Sequence, residues 1–343
     1  MRLGELKKIA RKRRLDQVIV TDEANIRALT GVVCDNAVLR VFSTDEDVCC
    51  PGVGVEFYTD FRYVPMVHRV APTLKVRDIR RFKPKGARIG YEGQVSHAQF
   101  EQWRRAARRA KFVDIAADLA ALRAVKTPDE IAALRAAEAL NCAIWKAASA
   151  RFRAGMTERD MARIIQKMMV EKGEGEAFST IVCIGANAAE CHHEPDDTVW
   201  NGREPVLVDM GVKLGGVCSD LTRNLVPKRP RPIYRQVYEL VREANRAAIA
   251  AVKPGITGRR LDKVARDIIR KGGFGRCFGH SLGHGVGYEI HEQPTASKRS
   301  DVVLKPGMVL TIEPGVYLEG NLGVRIEDMV LVTDSGCEVL SSS

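Results

Sequence analysis

The sequence predicts two domains of different class: an α/β domain over residues 1–120, then an α+β domain over residues 121–343 built on an internal pseudo-twofold repeat. Three observations carry this. The first 120 residues alternate helix-period and strand-period apolar patterns. A strong helix start follows at Thr127-Pro128. Beyond it, a pattern of capped amphipathic helix followed by hairpin occurs twice, at an offset of 100 residues.

In the first domain a basic helix is expected near Leu6 to Arg14, strands at Gln17 to Thr21, Ala37 to Phe42 and Ala87 to Tyr91, and a charged helix near Ala98 to Ala110. Within Leu119 to Ala137 a new helix starts, with Thr127 as N-cap, Pro128 at the first helical position and Glu130 at the third. GMTERDMARIIQKMMVEKGEG (155–175) then aligns with GITGRRLDKVARDIIRKGGFG (255–275). Gly155 matches Gly255, Thr157 matches Thr257, Arg159 matches Arg259, and Met168 and Met169 match Ile268 and Ile269. Each copy precedes a hairpin, VLVDMGV-KLGG-VCSDLTRNL in the first case and MVLTIEPGVYL-EGN-LGVRIEDMVLV in the second. Two related hairpins should meet at a shared centre.

With 343 residues, 45% hydrophobic and 28% charged, the chain can bury two cores, which excludes disordered and low-complexity classes. Lys plus Arg is 54 against 43 Asp plus Glu, a net charge of +11 that raises the question of a nucleic-acid partner. The charge is concentrated in Arg11 to Arg14, Arg104 to Arg109 and Lys228 to Arg231, which read as solvated helix faces and a Pro-rich loop without interleaved aromatics. Nucleic acid is therefore not the expected partner. The nine cysteines (34, 49, 50, 142, 183, 191, 218, 277, 337) are odd in number and form no CxxC pair, which points to reduced thiols and a cytoplasmic setting. Met1 to Leu15 lacks an apolar core segment, and no apolar run approaches the roughly 18 residues of a membrane span, so a soluble protein with no membrane partner is expected.

The chemistry-bearing residues cluster in the two hairpins. Folding the first about Leu214–Gly215 sets Asp209 opposite Asp220, and folding the second about Gly320 sets Glu313 opposite Glu327. Like charges directly opposed on a strand pair are destabilising unless a cation lies between them. One such pair fits a solvent-facing edge, but two at related places inside apolar strands (Val206 to Val208, Val309 to Ile312) do not. Buried carboxylates in that number need positive charge, and a pair of divalent metal ions is the economical source. Between the hairpins, FGHSLGHGVGYEIHEQP (278–294) carries His280, His284 and His291. Its glycines argue against a helix and allow the backbone to approach a site closely, so at least one of these histidines is expected at the metal centre.

Asp, Asp, His, Glu and Glu in this order, with the GHGxG and RIED contexts, resembles the signature of the pita-bread metallopeptidases, over roughly residues 120–340. With ANIRALTG (24–31) and YTDFRY (58–63), the first domain resembles the creatinase-type N-domain of the proline-directed branch, the Xaa-Pro aminopeptidases and prolidases. The resemblance implies two divalent metal ions per chain, manganese foremost with cobalt or zinc possible, held by Asp209, Asp220, His284, Glu313 and Glu327. In that scheme Asp209 chelates one ion, Asp220 and Glu327 bridge both, and His284 with Glu313 completes the other. It also implies substrate-side histidines at His192 and His291 and an orienting role for Arg325 from beside Glu327. A metal-activated water would attack the scissile carbonyl, Glu313 would relay its proton to the proline nitrogen, and His291 and His192 would stabilise the oxyanion.

Within the family, the domain of about 120 residues in front and GVRIEDMVLVT (323–333) resemble the proline-directed enzymes rather than methionine aminopeptidase. The intact ligand positions disfavour a metal-free creatinase and a non-catalytic binding module for peptide or nucleic acid. Prolidases of this type place an arginine directly after the HExP run, where this chain has Thr295, with Lys298 and Arg299 close by. The expected activity is therefore an Xaa-Pro aminopeptidase on small peptides with proline in second position, with an Xaa-Pro dipeptidase as the alternative. A homodimer is expected.

Overall fold

The computed structural model describes residues 2–43 and 54–341, so Cys49 and Cys50 lie outside the described residues. The other cysteines are free thiols. The chain divides into two compact units, Met1–Arg123 and Ala124–Ser343. The division expected at 120/121 falls inside a continuous helix, Ala116–Ala124.

The first unit is a six-stranded mixed sheet with helices. In chain order its elements are α1 (Arg2–Lys12), β1 (Gln17–Val20), α2 (Glu23–Thr30), β2 (Ala37–Phe42), β3 (Val55–Thr59), α3 (Val64–Val70), β4 (Lys75–Asp78), β5 (Arg88–Tyr91), α4 (His97–Ala106), β6 (Lys111–Asp114) and α5 (Ala116–Ala124). The strand order is β4-β3-β2-β1-β5-β6. Successive residues of β1 serve opposite faces: Val18 and Val20 join one core with Leu6, Ile26 and Phe57, whereas Ile19 joins another with Ile89 and Trp103. The two edge strands, KVRD and KFVD, carry no long apolar run because each is only half covered, and the sequence pattern does not reveal them.

The second unit repeats one plan. Its first half comprises α6 (Pro128–Ser149), α7 (Glu158–Lys172), β7 (Ile181–Ile184), β8 (Val206–Met210), the short β9 (Lys213–Leu214) and β10 (Val217–Cys218), and β11 (Leu221–Leu225). The second half comprises α8 (Pro232–Ala251), α9 (Gly258–Lys271), β12 (Gly283–Gly285), β13 (Glu292–Ala296), β14 (Val309–Ile312), β15 (Gly315–Leu318), β16 (Leu322–Arg325), β17 (Asp328–Val332) and β18 (Cys337–Val339). Thr127 caps α6 with a full capping box through Glu130. Thr157 and Thr257 cap α7 and α9, each after a glycine with φ of 93° (Gly155) or 87° (Gly255), and each threonine bridges a strand-like residue, Val199 or Val303. Buried Asn141 on α6 donates to the Met210 carbonyl, and buried Asn245 on α8 donates to the Ile312 carbonyl. Each half thus fastens its long helix to the end of its central strand.

The two hairpins differ in how they meet the sequence expectation. In the second, Ile312 pairs Asp328 and Gly315 pairs Arg325, a register in which Glu313 faces Glu327 as expected. In the first, Asp209 pairs Thr222, not Asp220. The turn is Gly215–Gly216, with φ of 60° and 68°, one residue later than the centre used to pair the aspartates. A two-residue turn with both φ positive suits the strand twist and selects Gly-Gly, which moves every pairing by two. Asp220 instead leaves the ladder at a bend where the Val212 and Ser219 backbones and the Ser219 hydroxyl bond one another.

Candidate active site

The bend and the strand ends converge on one cavity of about 510 Å³. Its walls include Asp209, Asp220, His284, Glu313 and Glu327, together with His192, His291 and Arg325. Asp209 sits on β8, Glu313 and Glu327 in the opposed gaps between β14 and β15 and between β16 and β17, and His284 in the middle of β12. Asp220 is fixed through its own N–H, which donates to Glu138 Oε2 at 3.2 Å. His284 Nε2 lies 3.5 Å from Asp220 Oδ2 and 3.4 Å from Glu313 Oε1. Ligand atoms of Asp220, His284 and Glu327 all fall within 4.8 Å of one another.

The protonation of these groups follows from their surroundings. Burial and the charges of Glu327, Asp209 and Glu313 push Asp220 well above the usual carboxylate range. Glu327 is pushed up in the same way by burial, Glu313 and Asp209, and Glu313 is raised to about 8, chiefly by burial. Burial and neighbouring His291 hold His284 down to about 4, so its imidazole is neutral at pH 7. Nδ1 of that ring faces the Gly285 carbonyl at 3.1 Å, which leaves the Nε2 lone pair directed at the carboxylates. Three acids raised in this way, with the Asp209 carboxylate and one neutral imidazole beside them, form a strong donor set for cations. Asp209 Oδ1 adds to this, being buried with no hydrogen-bond partner. Oxygen ligands with one imidazole suit divalent ions of the manganese, cobalt or zinc type. The residues present therefore fit a metal pair.

Around the acids runs a hydrogen-bonded frame of which the sequence pointed to Arg325 and His280, the rest lying beyond its reach. Arg325, only 3% exposed, donates to Asp209 Oδ2 at 2.6 Å, Thr222 Oγ1 at 3.1 Å and the Tyr317 hydroxyl at 2.9 Å. Thr222 in turn donates to Glu327 Oε2 at 2.6 Å. His280 accepts from the Tyr317 hydroxyl at 2.9 Å while its other nitrogen meets the Ser281 carbonyl. Burial holds His280 down to about 4. Behind Asp220, Glu138 also accepts from Ser341 Oγ at 2.6 Å, and Arg223 pairs with Asp328 at 2.8 Å. Lys126 and Glu292 form a further buried ion pair. Of the frame residues that sequence reasoning missed, Thr222 left a usable signal, since correct placement of the Gly-Gly turn puts it opposite Asp209.

His192 and His291 are both exposed on the cavity wall, and the His291 ring packs edge-on to His284 with centroids 4.4 Å apart. Thr295 lines the cavity as well, whereas Lys298 lies in a separate surface groove with Arg259 and Arg276. Arg325 is the single Lys or Arg among the described residues that line the cavity, and it is committed to the frame.

Residues 132–334 match the family model described as Metallopeptidase family M24, and residues 2–125 match the Creatinase/Prolidase N-terminal domain. The Xaa-Pro dipeptidase of Pyrococcus furiosus is 34% identical over 345 residues, covering 100% of this chain and 98% of its own. Among solved structures, an Xaa-Pro dipeptidase from Bacillus anthracis superposes with a TM-score of 0.91 at 29% identity, over 100% of this chain and 97% of that one. An X-Pro aminopeptidase from Thermotoga maritima superposes with a TM-score of 0.84 at 30% identity, over 97% of each chain.

Proposed function

The chain belongs to metallopeptidase family M24 and carries a creatinase/prolidase N-terminal domain; from that premise we propose that it hydrolyses the bond between a first residue and a proline in second position. The observation that carries this is the one cavity that four acids, one neutral histidine and two exposed histidines all line. Asp209, Asp220, His284, Glu313 and Glu327 would hold two divalent cations, which would supply Lewis acidity and lower the pKa of a bound water there.

The protein's own residues do the rest. Glu313, on the cavity wall beside His284, would take the proton of the attacking water as a carboxylate and return it to the leaving proline nitrogen. His291 and His192, on the open side of the acids, donate hydrogen bonds to the oxyanion that forms on the scissile carbonyl and align the peptide. Arg325 balances the local negative charge and holds Asp209 in its ligating orientation.

The names of the Pyrococcus furiosus and Bacillus anthracis relatives favour dipeptides as substrates. One observation favours longer peptides: no uncommitted Lys or Arg lines the described cavity wall to take a free proline carboxylate, and Thr295 is neutral. Turnover of Gly-Pro against a longer Gly-Pro-peptide, with manganese added, separates the two. Activity on either that survives exhaustive chelation, with no metal left by elemental analysis, overturns the metal-dependent reading. Manganese as the working ion, a cytoplasmic setting and a homodimer complete the proposal; elemental analysis, cell fractionation and sedimentation test them in turn. No described helix is long and apolar enough to cross a membrane.

A further inference from the structure

Between β7 and β8 the chain runs from Gly185 to Pro205 with only a short 3₁₀ turn, Gly185–Ala189, yet it carries His192 to the cavity wall. One carboxylate gathers its first half. Glu158, at the first turn of α7, is 0% exposed and accepts four hydrogen bonds from residues spread along this segment. Oε1 takes the Ile184 N–H at 2.6 Å and the Asn187 amide at 2.9 Å. Oε2 takes His193 Nε2 at 2.7 Å and the Asp196 N–H at 3.0 Å. The backbone completes the lacing, with the Glu158 N–H donating to the Thr198 carbonyl and the Arg159 N–H to the Asp196 carbonyl.

His193 is the charged member of this arrangement. Its Nδ1 faces Glu190 Oε2 at 3.3 Å while Nε2 faces Glu158, so both nitrogens meet carboxylates and both must donate. This geometry favours the imidazolium form, in a side chain 10% exposed. Burial alone would lower its pKa, but the hydrogen bond and charge of Glu158, then Glu190 and Asp196, leave it raised. Glu158, His193 and Asp196 are close enough to hold a cation. However, four donors already occupy the Glu158 oxygens, and both ring nitrogens of His193 face carboxylates as hydrogen-bond partners.

We infer that the Glu158–His193 ion pair is a buried clip that positions His192 for substrate, which makes both residues positioning residues for the peptide cleavage. The inference rests on the Xaa-Pro reading of the cavity. Because the clip acts through its neighbour in sequence, its loss and the loss of His192 should not add.

His193→Gln keeps a donor for Glu158 and removes the charge. The variant should retain its metal content and most of its Tm yet lose kcat/KM on an Xaa-Pro peptide on the order of 10²-fold, the scale of a misplaced positioning group. The double variant His192→Ala/His193→Gln should be no slower than His192→Ala alone. In the wild type, activity should also fall as pH rises through the raised His193 pKa, and His193→Gln should lack that limb. Additive losses, or a lower Tm with the rate per folded molecule intact, overturn the inference. If no Xaa-Pro peptide is turned over, the functional reading fails by itself. The nitrogen NMR signals of the wild-type His193 ring then decide the clip: two protonated nitrogens at pH 7 support it, and one overturns it.

Discussion

At Asp220 the metal-free protein carries a carboxylate buried against Glu327, Asp209 and Glu313, a contact that costs stability until cations fill the cavity. Asp220→Ala should remove a shared ligand and relieve that repulsion together. The expected outcome is loss of bound metal and a rate lower by on the order of 10³-fold or more, with a metal-free Tm at or above wild type. Metal stoichiometry and rate both near wild type would remove Asp220 from the centre. His291 is exposed, so its truncation leaves no buried gap. His291→Ala should slow turnover by roughly 10²–10³-fold with nearly unchanged metal binding and Tm. A strongly destabilised variant that still turns over normally per folded molecule would make it a loop-fixing residue instead. The acids and histidines were legible because their types and spacing are unusual in apolar strands. Tyr317, Glu138 and Ser341 were not, since Ser341 meets Glu138 across 203 positions of chain and only packing brings them together.

At the level of elements, the helices were legible from their caps, Thr127, Thr157 and Thr257, because a cap satisfies backbone donors locally and leaves a local signature. Hairpin register depends on turn geometry, and here one residue decided it. The Glu-Gly-Asn loop is symmetric about Gly320, so Glu313 and Glu327 are read correctly, whereas Gly215–Gly216 required both positive φ values to be recognised. Asp209 and Asp220 reach one cavity by a bend in the ladder, which alternation cannot report. Another contact between elements offers a direct test. Gly323 on β16 lies against the Ala188 carbonyl of the 3₁₀ turn, and any Cβ there would overlap that oxygen. Gly323→Ala must push β16 and the turn apart, and so should lower Tm by roughly 2–4 °C for each kcal/mol of an overpacking cost of about 1–3 kcal/mol. Because Arg325 follows on the same strand, metal affinity should fall too. A variant with wild-type Tm and affinity would show that the contact relaxes freely.

Over the whole molecule, the raised acids link folding to pH. Glu313 at about 8, with Asp220 and Glu327 also raised, binds protons more tightly folded than unfolded. Their contribution is fully present below the ordinary carboxylate range, near pH 4.5, and is lost as pH rises through about 8. The metal-free protein should therefore melt at a lower temperature at pH 8.5 than at pH 6, and manganese should raise Tm more at the higher pH. Thermal shifts measured at both values with and without the ion check this, and a chelated protein equally stable at both would contradict it. The division of ligands between the two halves of the repeat also sets a time order. Asp209 and Asp220 come from the first hairpin, while His284, Glu313 and Glu327 come from the second half. At ribosomal rates Glu327 is made on the order of ten seconds after Asp220. A nascent chain thus holds two aspartates without their partners, and on the proposed ligand set ion uptake would be one of the last events of its biosynthesis. On the proposed ligand set, the ions present where the chain finishes folding would be the first to reach a completed site.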